Sequence, residues 1–468
     1  MTALHTLSAA ALSTAYAKGT LSPVEVVQAV IQQIERREPQ LQALYNFDAD
    51  AALQQARHSE ARWLAGTPLS PLDGVPGTLK ENIATAGCPM PVGTAASTLV
   101  PMTEDAPPAA RWREAGLVLL AKTTMPDYGM LSSGLSSFHP LARNPWDVAM
   151  TPGGSSAGAG AAGAGGYGPL HVGTDIGGSV RLPAGWCGLV GFKPSAGRVP
   201  IKPPYTGRVA GPMTRTVQDC ALLMAVLAQP DWRDPTSLPP HGINWSDLSR
   251  DVGGRKSGLK IGLLLDAGWG QPVQPDIAAA VQAAATLFEH AGASVTPIPP
   301  FSTRAMADGM DRFWRMRSYL DMQALPEAQR NKVLPYIRDW VATGATLTAA
   351  EVFTGYSQIA ALRDAAIAAC QPFDVVLSPT SPVASFPADW ASPLNDPARP
   401  FEHIAFTLPY NMSEQPALSI NCGFTAAGLP IGLQIIGRRF DDLGVLQVAA
   451  TYEAMRAPQR AWPMDGTS

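Results

Sequence analysis

The chain has 468 residues, 46% hydrophobic and 15% charged, which excludes a disordered or collagen-like polymer and supplies apolar surface for a large core. Its 34 basic and 38 acidic residues leave a formal charge of -4, so there is no basic field to hold a phosphate backbone and nucleic acid is excluded as an expected ligand. Five scattered cysteines without a C-x-x-C pair, Cys88, Cys187, Cys220, Cys370 and Cys422, argue against a disulfide scaffold or a structural zinc site and fit a reducing compartment.

No basic residue precedes Lys18, no compact apolar leader follows, and no run approaches the ~18 apolar residues of a membrane span. The expectation is a cytoplasmic protein without membrane contact. Ser22-Pro23-Val24-Glu25 combines a capping hydroxyl, a first-turn proline and a reciprocal glutamate, with Val24, Val27, Ile31 and Ile34 at helical spacing. The predicted helix ends before Pro39. Apolar runs at Leu117–Ala121, Leu259–Leu265, Phe373–Leu377 and Ile431–Ile436 have strand length and alternate with helical stretches, which predicts an α/β fold with a mixed or parallel sheet covered by helices. Residues 229–258, rich in proline, aspartate and serine, read as a surface excursion inside one fold or a weak boundary. Within 301–340, a helix from Arg304 to Met322 would align Met306, Met310, Phe313 and Leu320 in one stripe, with Trp314, Tyr319 and Met322 off it. Such a helix is either buried all round or lines a cavity, and flexible methionines suit a cavity that accepts varied shapes. Thr348-Ala349-Ala350-Glu351 repeats the capping-box pattern, and Asp442 is the expected cap of a helix through Leu446 and Ala450.

Between Met150 and Arg181 glycine and serine are denser than core packing requires, and three readings compete there. Gly158 to Gly163 satisfies GxGxxG, the dinucleotide fingerprint, but lacks the preceding apolar strand; small residues on a closely packed helix explain the same letters. Gly154-Ser155-Ser156-Ala157-Gly158 satisfies GxSxG and nominates Ser156 as the nucleophile of an α/β-hydrolase esterase, with His290 or His403 as partner, again without the strand that elbow needs. The third reading takes Gly173-Thr174-Asp175-Ile176-Gly177-Gly178-Ser179-Val180-Arg181. Small residues before Ser179 let several backbone N–H groups converge on one point, as an oxyanion hole requires. A lysine desolvated enough to be neutral then replaces histidine as base. Lys80 lies in Gly77-Thr78-Leu79-Lys80-Glu81-Asn82-Ile83, a context equally open to a buried base and to a lysine that snorkels to the surface.

Gly153-Gly154-Ser155-Ser156, the Gly173 to Arg181 stretch and Lys80 upstream closely resemble the amidase signature family, with 75 positions between Lys80 and Ser155 and 24 between Ser155 and Ser179. The resemblance covers nearly the whole chain, including Asp73-Gly74-Val75-Pro76-Gly77, Arg143-Asn144-Pro145-Trp146-Asp147, Gly188 to Pro194 and Gly428 to Gln434. It implies one domain over 1–468, built on a large mixed β-sheet surrounded by α-helices, that hydrolyses carbon–nitrogen bonds through an acyl-enzyme with no metal and no cofactor. By the family's pattern Lys80 is the base, Ser155, preceded by a cis peptide, is the relay, and Ser179 is the nucleophile. Backbone N–H groups of Ile176, Gly177, Gly178 and Ser179 form the oxyanion hole, while Asp175 and Arg181 brace the loop. Gly129, Met130, Trp314 and Tyr319 are the expected substrate-binding residues. Two departures stand out: Ala157 replaces the glycine usual after Ser-Ser, and Glu81 the aspartate common after the lysine; neither removes a reacting group. The expected partner is a neutral, bulky or aryl amide, ester or carbamate (urethane), acted on by a monomer or homodimer. The family also contains the A-type component of a tRNA-dependent amidotransferase, the alternative reading, but the Ser-Ser-Leu-Asp segment of that component is absent between Gly197 and Thr214.

Overall fold

The Ser22 capping box forms as the sequence indicates: Ser22 Oγ accepts from Val24 N at 3.0 Å and Glu25 Oε2 accepts from Ser22 N at 2.9 Å. The helix runs over Pro23–Leu41 and includes Pro39, where an end before the proline was expected. Pro39 falls in the last turn, so it removes one hydrogen bond and breaks nothing downstream, and the fully buried Leu41 holds that turn against the core. This computed structural model describes residues 3–250, 252–253 and 258–465. Residues 251 and 254–257 of the expected excursion lie outside the described residues.

Eleven strands among the described residues form one sheet: β1 (Leu44–Tyr45), β2 (Pro76–Lys80), β3 (Val118–Thr123), β4 (Leu170–Asp175), β5 (Val190–Lys193), β6 (Val209–Thr214), β7 (Lys260–Leu263), β8 (Ser294–Pro297), β9 (Val375–Pro379), β10 (Ala417–Phe424) and β11 (Pro430–Gly437). Their spatial order is β1-β3-β2-β4-β6-β5-β10-β11-β9-β7-β8. The β3-β2-β4 and β9-β7-β8 groups are parallel and the pairs between them antiparallel, so the sheet is mixed and the α/β expectation holds. The four strands read from apolar runs all exist, shifted by one or two residues at their ends. All five cysteines are unpaired, and no helix among the described residues is long and apolar enough to cross a membrane.

The C-terminal helix, Asp442–Met455, is capped by Asp441, whose carboxylate accepts from Gly444 N at 3.1 Å. Asp442, the expected cap, instead accepts from Ser195 N at 2.7 Å and Arg198 Nε at 3.0 Å. The helix over Arg304–Gln323 is present, but the face it buries is Ala307, Gly309, Met310, Trp314, Ser318 and Met322. Of the stripe expected there only Met310 is buried, and Leu320 is 60% exposed. Trp314, Trp340, Leu131 and Ile404 belong to a separate apolar cluster from the one that carries most of the sheet.

Candidate active site

Lys80 ends β2, flanked by the parallel neighbours β3 and β4, and that central position buries it completely. Its Nζ lies 2.7 Å from Ser155 Oγ and 3.1 Å from Thr174 Oγ1, which Asn82 Nδ2 also approaches at 3.1 Å. No carboxylate pairs with it among the described residues. Burial, with the Arg208 charge acting in the same direction, pushes the amine down from 10.5 to about 7, against smaller upward pulls from Asp175 and Glu81. Local context left this lysine's place open; the sheet decides for burial. Ser155 follows a cis Gly154–Ser155 peptide in the loop before the helix Ala157–Gly165. Gly129, at φ +68°, sits so close that a Cβ there would lie 3.2 Å from Ser155 Oγ.

Ser179 lies in the turn between β4 and the helix Arg181–Cys187. Asp175 organises that turn by accepting from Gly178 N at 2.8 Å and Val180 N at 3.0 Å. Arg181, fully buried, grips the same carboxylate through Nε at 3.0 Å and Nη2 at 2.9 Å and reaches Thr407 O, Gln434 Oε1 and Asn411 Oδ1. Burial alone would raise the Asp175 pKa, but the Arg181 charge and hydrogen bonds outweigh it and hold the carboxyl well below its usual range. Thr407 Oγ1 donates to Gly177 O at 2.6 Å. The expected donor set needs one correction: the Gly178 N–H is consumed by Asp175, whereas those of Ile176, Gly177 and Ser179 meet no acceptor among the described residues. The Ser179 hydroxyl also makes no hydrogen bond, to Ser155 or to any other described group.

Ser179, Ile176 and Gly177 open on a cleft of about 580 Å³ whose walls include Gly129, Met130, Trp314, Trp340, Phe401 and Ile404. Trp314 and Trp340 each meet the Phe401 ring edge-on, with centroids 5.2 and 5.6 Å away. Of the expected substrate-binding residues, Tyr319 alone is absent from this lining; its Cβ packs beside Gly344. Sequence reasoning missed Tyr128, Leu131, Trp340, Phe401, Ile404 and Thr174. An aromatic cluster in 301–340 pointed toward Trp340, but nothing local marks Phe401 or Ile404.

A family model described as Amidase matches residues 25–446. The chain belongs to the amidase signature family, whose members cleave amide bonds. An acylamidase of Rhodococcus erythropolis is 34% identical over 462 residues, covering 97% of this chain and 96% of that one. The A-type component of the glutamyl-tRNA(Gln) amidotransferase of Myxococcus xanthus is 35% identical over 474 residues, with 94% and 96% covered. The crystal structure of a bacterial aryl acylamidase of the amidase signature family superposes with a TM-score of 0.88 at 31% identity, over 96% of each chain.

The competing motifs have structural explanations in this chain. The GxGxxG residues lie inside the fully buried helix Ala157–Gly165, where a Cβ on Gly158 would come within 2.1 Å of Ala43 O, so close packing accounts for them. Ser156 Oγ is buried between Thr174 O at 3.2 Å and Thr174 N at 3.3 Å. No strand precedes it and no histidine bonds it among the described residues. Glu81, the departure beside Lys80, accepts from Gly93 N at 2.9 Å and contacts His139 Nε2 at 2.6 Å, also meeting Val92 N. It holds a neighbouring loop.

Proposed function

We propose that this chain hydrolyses linear amides through an acyl-enzyme on Ser179. The observation that carries the reading is a wholly buried Lys80 without a carboxylate partner, its Nζ 2.7 Å from Ser155 Oγ. An amine held neutral there accepts the Ser155 proton while Ser155 Oγ accepts that of Ser179, and Ser179 Oγ adds to the amide carbon. The N–H groups of Ile176, Gly177 and Ser179 are the free donors for the resulting oxyanion. As the C–N bond breaks, the proton returns from Lys80 through Ser155 to the leaving nitrogen. Water then attacks the acyl-enzyme by the same relay, releasing the acid and restoring Ser179. The relay needs a Ser155–Ser179 hydrogen bond that the structure does not contain; catalytic bonds of this kind commonly tighten only around substrate.

Aromatic walls at Trp314, Trp340 and Phe401 favour bulky or aryl substrates, with aryl amides first and aryl esters and carbamates as side activities. The likeness to an aryl acylamidase supports the same choice. The amidotransferase relatives, at 35% identity for the Myxococcus xanthus protein, support a rival reading, against which stands the missing Ser-Ser-Leu-Asp segment. The purified chain alone is expected to release 4-nitroaniline from 4-nitroacetanilide, and a fluorophosphonate adduct should map to Ser179. An adduct on Ser156 would reinstate the elbow reading, and glutamine-dependent activity seen only with further proteins and tRNA would establish the amidotransferase.

A further inference from the structure

Among the residues that line the cleft beside Ser179, Arg317 is the single one with a formal charge. Its acidic neighbour, Asp321, is one turn on, 3.7 Å from Nε and 68% exposed, beyond hydrogen-bond distance and too wet to neutralise the guanidinium strongly. Arg317 Nε is buried without a hydrogen bond, and the guanidinium carbon sits 4.6 Å over the Tyr205 ring. A second guanidinium lies near enough to feel the Arg317 charge. Arg208, half-buried, donates to Pro203 O at 3.1 Å and Asn82 O at 3.4 Å and has no acidic partner among the described residues. Burial, and then the Arg317 charge, hold its pKa down to about 10. A cleft-lining guanidinium whose acidic neighbour is a largely exposed side chain 3.7 Å away, beside an aromatic wall, is complementary to an anion carried on a flat apolar body.

We propose that Arg317 is a specificity-determining residue that selects amides bearing a carboxylate away from the scissile bond. The proposal rests on the hydrolase reading and changes one part of it, since the preferred substrate was expected to be neutral. The competing account is that Arg317 only pins Tyr205 and the chain around it.

The test uses matched pairs: 4-acetamidobenzoate against its methyl ester, with the carboxylate on the leaving aniline, and N-succinyl-4-nitroaniline against its methyl ester, with the carboxylate on the acyl chain. In one pair the acid should be preferred by at least about tenfold in kcat/KM, and added salt should erode that preference. Arg317→Met should cut the acid by about 10- to 100-fold, the range for a hydrogen bond to a charged group, and move the ester by less than about threefold. Equal rates for acid and ester in the wild type, or equal losses for both in Arg317→Met, would overturn the proposal. If Arg317→Met fails to fold, the wild-type acid-to-ester ratio and its salt dependence decide. If no member of either pair is hydrolysed, the hydrolase reading is what fails. Calorimetric binding of the four compounds to Ser179→Ala then still decides the carboxylate preference, and no preference for the acids would overturn it.

Discussion

Replacing Lys80 by methionine keeps most of the buried volume and removes only the amine. For the wild-type amine, held at about 7 against an ordinary 10.5, burial penalises the charged form relative to water by roughly 5 kcal/mol. At pH 6 roughly one molecule in ten is then competent as base, and at pH 8 roughly nine in ten. Wild-type kcat/KM on 4-nitroacetanilide, followed by nitroaniline absorbance, should therefore rise about tenfold between those two values and level off above. Lys80→Met should lose at least about a thousandfold, within the range of a general base acting as one unit with its relay, and show no such rise. Stability separates this loss from misfolding. The unfolded lysine binds its proton up to about 10.5 and the folded one only to about 7, so the unfolded state holds more protons between those values and wild-type stability climbs with pH there. Below about 7 the wild type carries the full cost of charging a buried amine. Lys80→Met escapes it and should melt at an equal or higher temperature at pH 6, with the gap closing toward pH 10. Lys122 and Lys193, likewise depressed by burial to about 8 and about 7, add the same slope to both proteins and cancel in the difference. A flat profile from pH 6 to 8, or a methionine variant that keeps a tenth of the activity, would refute the neutral-lysine reasoning.

Gly178 has φ +127°, and a Cβ there would meet Thr407 Oγ1 at 2.7 Å and Leu182 at 2.9 Å, while one on Gly177 would meet the Ile404 side-chain tip at 3.1 Å and the Trp314 ring at an ordinary contact distance of 3.8 Å. Gly178→Ala should cost kcat about a hundredfold or more by displacing the adjacent donors, and Gly177→Ala less than about tenfold, measured on the same anilide. Trp314 is 9% exposed and divides the Ser179 cleft from a second cavity at Arg304 and Glu402, so Trp314→Ala should destabilise by about 3–5 kcal/mol in denaturant melts. Trp314→Phe should keep the fold and lower the kcat/KM ratio of 4-nitroacetanilide to acetamide, whereas Tyr319→Ala should leave that ratio unchanged.

The three residues proposed to react were legible because their local chemistry is unusual: glycine and serine so dense around 153–181 demand close backbone approach, and the spacing to Lys80 matched a family. The protonation state of that lysine was not legible. It depends on β2 lying between β3 and β4, strands that come well downstream in the chain, and no local pattern reports such a neighbour. The strands that carry the site were harder to see than those at the far side of the sheet. β2 begins Pro76-Gly77, β4 contains Gly173 and β6 contains Gly211-Pro212, so none presents an uninterrupted apolar run, whereas β9 opens on Val375-Val376-Leu377.

The helix over Arg304–Gln323 shows why a hydrophobic stripe alone chose the wrong face. Two apolar sides were available, and the buried one was marked by its small residues, Ala307, Gly309 and Ser318, which allow a neighbouring helix to approach. The larger side chains lie toward the rim of that contact: Phe313 is half-buried with its ring 5.2 Å from Tyr356 of the helix Ala349–Cys370, and Leu320 is largely exposed. The same logic explains the lost donor at Gly178. A run of small residues says that N–H groups can converge, but which of them stay free depends on what else the loop must bond. Asp175 is held as a carboxylate by Arg181, itself fixed by Thr407, Asn411 and Gln434 from more than two hundred residues downstream. An anchored carboxylate must be satisfied, and it takes the Gly178 N–H to do so. The donors proposed for the oxyanion are thus the remainder after the loop has secured its own shape, which only the assembled fold determines.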